Sequence, residues 1–266
     1  MVKLGRCQCL LEKTIPCPNH SLAGSAFCKD HRDKCGYASP MTGYEPDYNP
    51  KLWNEKKEYR ETHNCYAYAM NTIDMKLIAE CLSSATCNTG TPQPGYAAGH
   101  KQWDSSHPKT CPDMRHRILG DNPSIIALPR EDGFLMKCPA GTSKIALVVD
   151  PDEDYHFLRQ DSDGWWSQKG GAKPVVKVDA ADRPIWNPEL ADHNWTNEQG
   201  VLDYDVFCGF MCVPRRVTGT NLKLKISSGG RRKTKKKRAP RGRAERAVQA
   251  KRRHRSQTKR YQGRKA

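Results

Sequence analysis

Residues 231–266 carry 18 Lys or Arg and one acidic residue, Glu245, a formal charge of +17 against +16 for the whole 266-residue chain. Residues 1–230 therefore sum to about −1. The basic segment has no aliphatic face, and a stretch of such charge density cannot bury enough apolar surface to order itself. Any fold is confined to what precedes it. The near-neutral body and the cationic tail thus pose separate questions, because a tail of this kind asks for a polyanion and says nothing about the body's chemistry.

Without the tail, roughly 180 to 220 residues remain, enough for a self-supporting core without disulfide staples. The 12 cysteines follow no regular spacing. The opening MVKLGRCQCLLEKT lacks the apolar core of a signal peptide. No segment approaches the roughly 18 apolar residues of a membrane span. The reading is an intracellular, reducing setting, with cysteines serving more often as metal ligands, buried small residues or nucleophiles than as cystines; disulfides remain open in a particle or an oxidising space.

Four regions follow from composition. Residues 1–37 hold five cysteines and two histidines, and 38–54, rich in Pro, Asn and Tyr, read as a linker or extended arm. Residues 55–218 form the body, and the tail, 227–266, begins at the hinge-like SSGG. Within the body, 65–79 (CYAYAMNTIDMKLIA) has apolar residues at helical spacing, with Asn64 placed to cap it. Residues 81–109, containing PQPG, read as a long surface loop. Short strands are expected at 125–128, 144–150, 155–159, 165–168, 175–178 and 204–213, separated by PDED, DSDG and KGGAKP turn signals. A helix followed by an antiparallel meander is an α+β pattern.

Cys65 stands directly after the Asn64 cap, at the expected first turn of that helix. Unpaired N–H groups there stabilise a thiolate and can contribute to an oxyanion hole, for which Cys65 and Asn64 are the candidates. His156 lies mid-strand in DYHFLRQD, sharing a face with Leu158, while Tyr155 and Phe157 share the other. If the His156 face meets the helix N-terminus, a Cys65–His156 pair results. Gln168, across the DSDG turn, is the preferred orienting group, with Ser167, Asp161, Asp179 and Asn187 as weaker candidates. Trp165 and Trp166 are candidates to line a substrate cleft, one of them being core.

NCYAYAMN and KIALVVDPDEDYHFLRQDSDGWWSQKGG together resemble the papain-like cysteine hydrolases in their NlpC-like and CHAP-like forms, over about residues 55–215. The resemblance implies a helix-plus-antiparallel-sheet fold, Cys65 as nucleophile, His156 as base and Gln168 where the family commonly has His, Asn or Asp. It implies action on peptide or isopeptide bonds, hence a peptide or protein substrate. The pattern DYHF-x-RQD…G-x-W-S-x-K-x-G, matched at 154–161 and 164–171, also resembles uncharacterised proteins of large DNA viruses and bacteria.

In the N-terminal region, Cys7, Cys17, Cys28 and His31 form Cys-x9-Cys-x10-Cys-x2-His. Three thiolates and an imidazole suit tetrahedral Zn2+ with no open position, a structural role. A tight turn can present Cys28 and His31 to one ion, while Cys9, His20 and Cys35 stand as alternative ligands. The region resembles a small Cys/His module found in large DNA virus and bacterial proteins, matched at Cys7, Cys17, Gly24, Phe27, Cys28 and His31.

In the tail, Arg231, Arg232, Lys233, Lys235, Lys236, Lys237, Arg238, Arg241, Arg243, Lys251, Arg252, Arg253 and Arg255 suit a phosphate backbone and also read as nuclear-import signals. Only Tyr261 offers stacking, so binding to nucleic acid is expected to be sequence-independent and salt-sensitive. Three functions emerge: a cysteine peptidase or amidase tethered to nucleic acid, a non-enzymatic structural protein of a virion contacting capsid proteins and packaged DNA, and a zinc-containing nucleic-acid-binding protein. The expected location is intracellular, in a host nucleus or a virion if the chain is viral.

Overall fold

A computed structural model describes residues 5–32, 34–84, 87, 90–103, 109–197, 200–215 and 222–225. The basic tail and the Lys and Arg positions named in it lie outside the described residues. Met1–Gly230 is one compact unit.

The chain opens with a small hairpin, β1 (Leu10–Glu12) and β2 (Ile15–Pro16), and a single 3-10 turn, Lys29–His31. Four short helices follow: α1 (Pro50–Asn54), α2 (Lys57–Thr62), α3 (Cys65–Ala69) and α4 (Met75–Ser83). After α5 (Cys111–Asp121) come β3 (Ile126–Ala127), β4 (Thr142–Asp150), β5 (Asp154–Gln160), β6 (Trp166–Lys169), β7 (Val175–Val176) and β8 (Val206–Pro214). The last six strands form one sheet in the order β3-β8-β4-β5-β6-β7, with every pairing antiparallel. The architecture is α+β.

The meander from β4 to β7 obeys its turn signals, and alternation then assigns the faces. Ile145, Leu147, Val149, Tyr155, Phe157, Met211 and Val213 pack on one face with Tyr66 of α3 and Met114 and Ile118 of α5. Ala146, Val148, Leu158, Trp166 and Phe210 pack on the other with Ile185, Tyr204, Phe134 and Leu10. Covered on both sides, the central strands read as near-continuous apolar runs. A register shift between Leu147 and Val148 bulges β8 opposite them, and Gly209 at φ 105° supplies the conformation this requires.

The expected helix over 65–79 is instead two. Asn71 adopts the left-handed region (φ 51°) and ends the first, and the Asp74 side chain caps the second by accepting from the Lys76 N–H. The 81–109 region begins inside α4, and Tyr96 within it is buried.

Residues 38–54 are bound along their length rather than spanning open space. Thr42 donates to the Thr142 carbonyl (2.6 Å), Arg159 donates to the Asp47 carbonyl (3.0 Å) and Tyr48 donates to the Val175 carbonyl (3.3 Å). The N-terminal module is docked as well. Fully buried Gln8 donates to the Pro184 carbonyl and accepts from the Trp186 N–H at 2.7 Å and the Asn187 N–H at 3.1 Å.

Eight cysteines are disulfide-bonded, as Cys9–Cys35, Cys81–Cys87, Cys111–Cys208 and Cys138–Cys212. The pairing departs from the reducing setting read from the sequence, takes the course left open for an oxidising space, and gives Cys111, Cys138, Cys208 and Cys212 a bracing role. Irregular spacing hides such pairs, because pairing depends on which strands become neighbours. Among the described residues, no helix is long and apolar enough to cross a membrane.

Candidate functional site

The four cysteines outside the disulfides are Cys7, Cys17, Cys28 and Cys65. Three of them converge with His31, the donor atoms of the four residues all lying within 4.8 Å of one another. Local backbone pairing builds the cluster. Cys17 N–H donates to the Cys9 carbonyl and Cys7 N–H to the Asn19 carbonyl, while the 3-10 turn after Cys28 brings round His31, whose N–H donates to the Cys28 carbonyl. The Cys9–Cys35 disulfide removes two of the alternative ligands, and His20 is not in the cluster.

The spacings fit a tetrahedral ion. At about 2.3 Å for each thiolate and 2.0–2.1 Å for the imidazole, tetrahedral angles put sulfurs about 3.8 Å apart and sulfur to nitrogen about 3.6 Å. The Cys17 and Cys28 sulfurs are 3.9 Å apart, and His31 Nδ1 lies 3.3 Å from Cys28 Sγ and 3.7 Å from Cys7 Sγ. Burial pushes the Cys7 thiol up to about 11. Burial also raises Cys28, but hydrogen bonds led by the His31 backbone N–H outweigh it and bring the thiol down to about 7. The group can hold a metal ion, and its four donors leave no protein-side position unfilled.

A second constellation surrounds His156. Its Nε2 lies 2.7 Å from Gln168 Oε1, and the Gln168 amide nitrogen donates to the Val178 carbonyl at 2.5 Å. That donation fixes the amide, so its oxygen faces the imidazole. Nε2 therefore carries the proton and Nδ1 the free lone pair. Among the described residues, Nδ1 accepts no hydrogen bond. His156, Gln168, Cys65 and Asn64 all line one cavity of about 560 Å3, walled in part by Trp195, Leu202 and Tyr204.

Cys65 enters this cavity from the other side of β5. α3 packs against the face bearing Tyr155 and Phe157, with the Tyr66 and Phe157 rings 5.3 Å apart, because these side chains form the larger apolar surface. His156 lies on the opposite face, its ring 5.3 Å from that of Tyr204. The helix thus does not meet the His156 face as the pairing condition required. β6 pairs with β5 only from Leu158 onward, so thiol and imidazole share a cavity past the uncovered part of β5. Among the described residues, no hydrogen bond joins them. The Cys65 sulfur lies 3.9 Å from the Tyr155 carbonyl oxygen.

Asn64 does cap α3, accepting from the Ala67 N–H at 3.2 Å, but the helix has five residues. Burial, reinforced by the Asp154 carboxylate, pushes the Cys65 thiol up to about 12, which the short helix does not offset. Burial likewise brings His156 down to about 4. Both groups are uncharged at neutral pH.

The other candidates have separate partners. Ser167 hydrogen-bonds Tyr68 (2.7 Å), Asp161 pairs with Arg159 (3.0 Å) and Asp179 with Arg183 (2.6 Å). Asn187 is held by Gln8. Trp166 is core, and Trp165 packs with Trp186 and Phe27, so neither lines the cavity. Polar residues of the two pattern stretches are spent on backbone carbonyls of the body. Gln160 donates to the Ser39 carbonyl, and Lys169 donates to the Arg60 and Gly171 carbonyls. Sequence reasoning missed the Arg159 hub, which also donates to the Tyr68 carbonyl and the Asn71 side chain. Its only sequence signal was the short Arg-x-Asp spacing.

Fold and sites together define a disulfide-braced α+β protein with a metal-competent cluster of three cysteines and one histidine. No family model matches the chain, and no solved structure matches it. It is 33% identical over 148 residues to "Insoluble matrix shell protein 1" of Ruditapes philippinarum, a match covering 54% of this chain and 80% of that protein. The chain belongs to the family of that shell protein.

Proposed function

We propose that the chain is a structural matrix protein, a rigid cross-braced body whose basic tail binds acidic polymers of the matrix. Its kinship with insoluble matrix shell protein 1 carries this reading. The four disulfides support it, since such bonds persist in oxidising spaces outside the reducing cytosol. The cluster holds Zn2+ as a structural ion, favoured over other metals by three thiolates, one imidazole and near-tetrahedral spacing. Nucleic acid is the alternative polyanion for the tail. The test is co-sedimentation of the full chain with polyaspartate, using duplex DNA as competitor and a chain ending at residue 226 as control. The reading expects salt-sensitive retention that the shortened chain loses. A full chain left in the supernatant at low salt overturns it, and exclusive retention by DNA moves the assignment to nucleic acid.

One observation favours a second reading, a cysteine hydrolase of papain-like form. A histidine with Nε2 tied to an amide oxygen, and an Nδ1 that accepts no hydrogen bond among the described residues, shares a cavity with a thiol outside the disulfides. In that reading Cys65 attacks an amide carbonyl, His156 Nδ1 takes the thiol proton and returns it to the leaving amine, and Gln168 holds the ring. Site-resolved alkylation of Cys65 from pH 4 to 10 separates the two. An apparent pKa below about 7 that rises in His156→Ala selects the hydrolase. A Cys65 that is inert, or that reacts without regard to His156, selects the structural protein.

A further inference from the structure

Eight cysteines pair in disulfides, yet the three thiols lying nearest one another, Cys7, Cys17 and Cys28, do not. Cys17 and Cys28 sit inside the loop closed by Cys9–Cys35, whose Cα atoms are 5.5 Å apart, and Cys7 stands two residues before it. In an oxidising space, bare thiols whose sulfurs lie 3.9 Å apart are close enough to couple when an oxidant reaches them. The buried core of the module consists of Cys7, Cys9, Cys17 and Cys28, with Phe27 and Cys35 packed against it. The ligands are themselves the core, so an ion that leaves takes most of the module's cohesion with it.

We propose that the metal at this cluster governs covalent cross-linking of the protein, a deepening that rests on the zinc reading above. With the ion bound, three thiolates are masked and the body stays a monomer with four internal disulfides. With the ion removed, Cys17 and Cys28 close a fifth disulfide, giving up two protons and two electrons to a small-molecule disulfide, which leaves as two thiols. Parity then strands Cys7. The loosened module exposes it, and Cys7 of two copies joins in an interchain disulfide, again reducing one small-molecule disulfide to two thiols. A metal-masked odd cysteine is thus a latent link between copies, suited to a protein that is delivered as monomer and then fixed in a matrix.

The experiment uses the full chain in a fixed buffer of oxidised and reduced glutathione, with added Zn2+ or with a zinc-selective chelator. Metal content is measured first, and less than one zinc per chain overturns the zinc reading itself. For a chain that holds zinc, disulfide mapping and non-reducing electrophoresis then test the cross-link. The expected result is a monomer with four disulfides in zinc. On chelation, a Cys17–Cys28 bridge and a Cys7–Cys7 dimer appear, with Cys65 still unpaired. Cys7→Ser should form the internal bridge under chelator without the dimer, and His31→Ala should dimerise with no chelator present. A zinc-loaded chain whose cysteine map is unchanged by chelation, or a dimer that persists in Cys7→Ser, overturns the proposal and leaves the zinc reading standing.

Discussion

The Gln168 side chain is held at both ends, its oxygen by the His156 imidazole and its nitrogen by the Val178 carbonyl. Gln168→Leu strands a buried imidazole N–H and a carbonyl, so it should cost about 1–3 kcal/mol by chemical denaturation. His156 itself carries a pH signature. Burial lowers it from 6.5 to about 4, so the folded state favours the neutral ring. The stability tied to that group is complete above pH 6.5 and is lost as the pH falls toward 4, because the unfolded chain takes the proton first. Between pH 7 and 4.5 the share of this one residue is about 2–3 kcal/mol. His156→Gln should therefore show a shallower fall in urea midpoint than the parent across that range. Equal slopes would remove His156 as the cause. Buried His63 and half-buried His193 shift in the same direction, which is why the comparison must be with the variant.

At the scale of elements, Asn71 does two jobs. It takes the left-handed conformation that separates α3 from α4, and its side-chain oxygen accepts from buried Arg159 at 2.8 Å. Asn71→Ala loses both and should destabilise by about 1–3 kcal/mol, with Asn71→Gly milder because glycine keeps the turn. The strand β8 is tied twice, to α5 through Cys111–Cys208 and to the segment before β4 through Cys138–Cys212, at separations of 97 and 74 residues. Replacing either pair with alanine should lower stability by roughly 2–5 kcal/mol, read as a shifted unfolding midpoint under non-reducing conditions. These elements also show what the sequence could reveal. The β4 to β7 meander was legible because local turn residues and alternation encode it. The break at Asn71 was signalled by Asn71 and the Asp74 cap, yet apolar spacing ran across both and merged the helices. α5 was missed although Thr110 caps it and Met114 and Ile118 recur four apart, because Arg117 and Asp121 interrupt its apolar face. The insertion of β8 between β3 and β4, and with it two disulfides, has no local signal at all. At the candidate sites, the Cys28–His31 turn was readable from spacing, whereas the face of β5 that α3 would choose was decided by packing.

For the whole molecule, charge divides the labour, with about −1 on residues 1–230 and +17 on residues 231–266. Removing the tail should change polyanion affinity by orders of magnitude between low and physiological salt while leaving the melting of the body unmoved, measurable by parallel titration and calorimetry. A fall in body stability on truncation would contradict that separation. The sheet order has a further consequence, for how the molecule is made. β8 is the last of the described strands and lies second in the sheet, between β3 and β4. As the chain leaves the ribosome, β4 to β7 can assemble early, but the sheet stays open until residues 206–214 emerge. Until then, two strand edges and the Cys111 and Cys138 thiols wait without partners. Folding of this body is thus gated by the arrival of a late segment, and a nascent chain stalled short of it is left with adhesive edges.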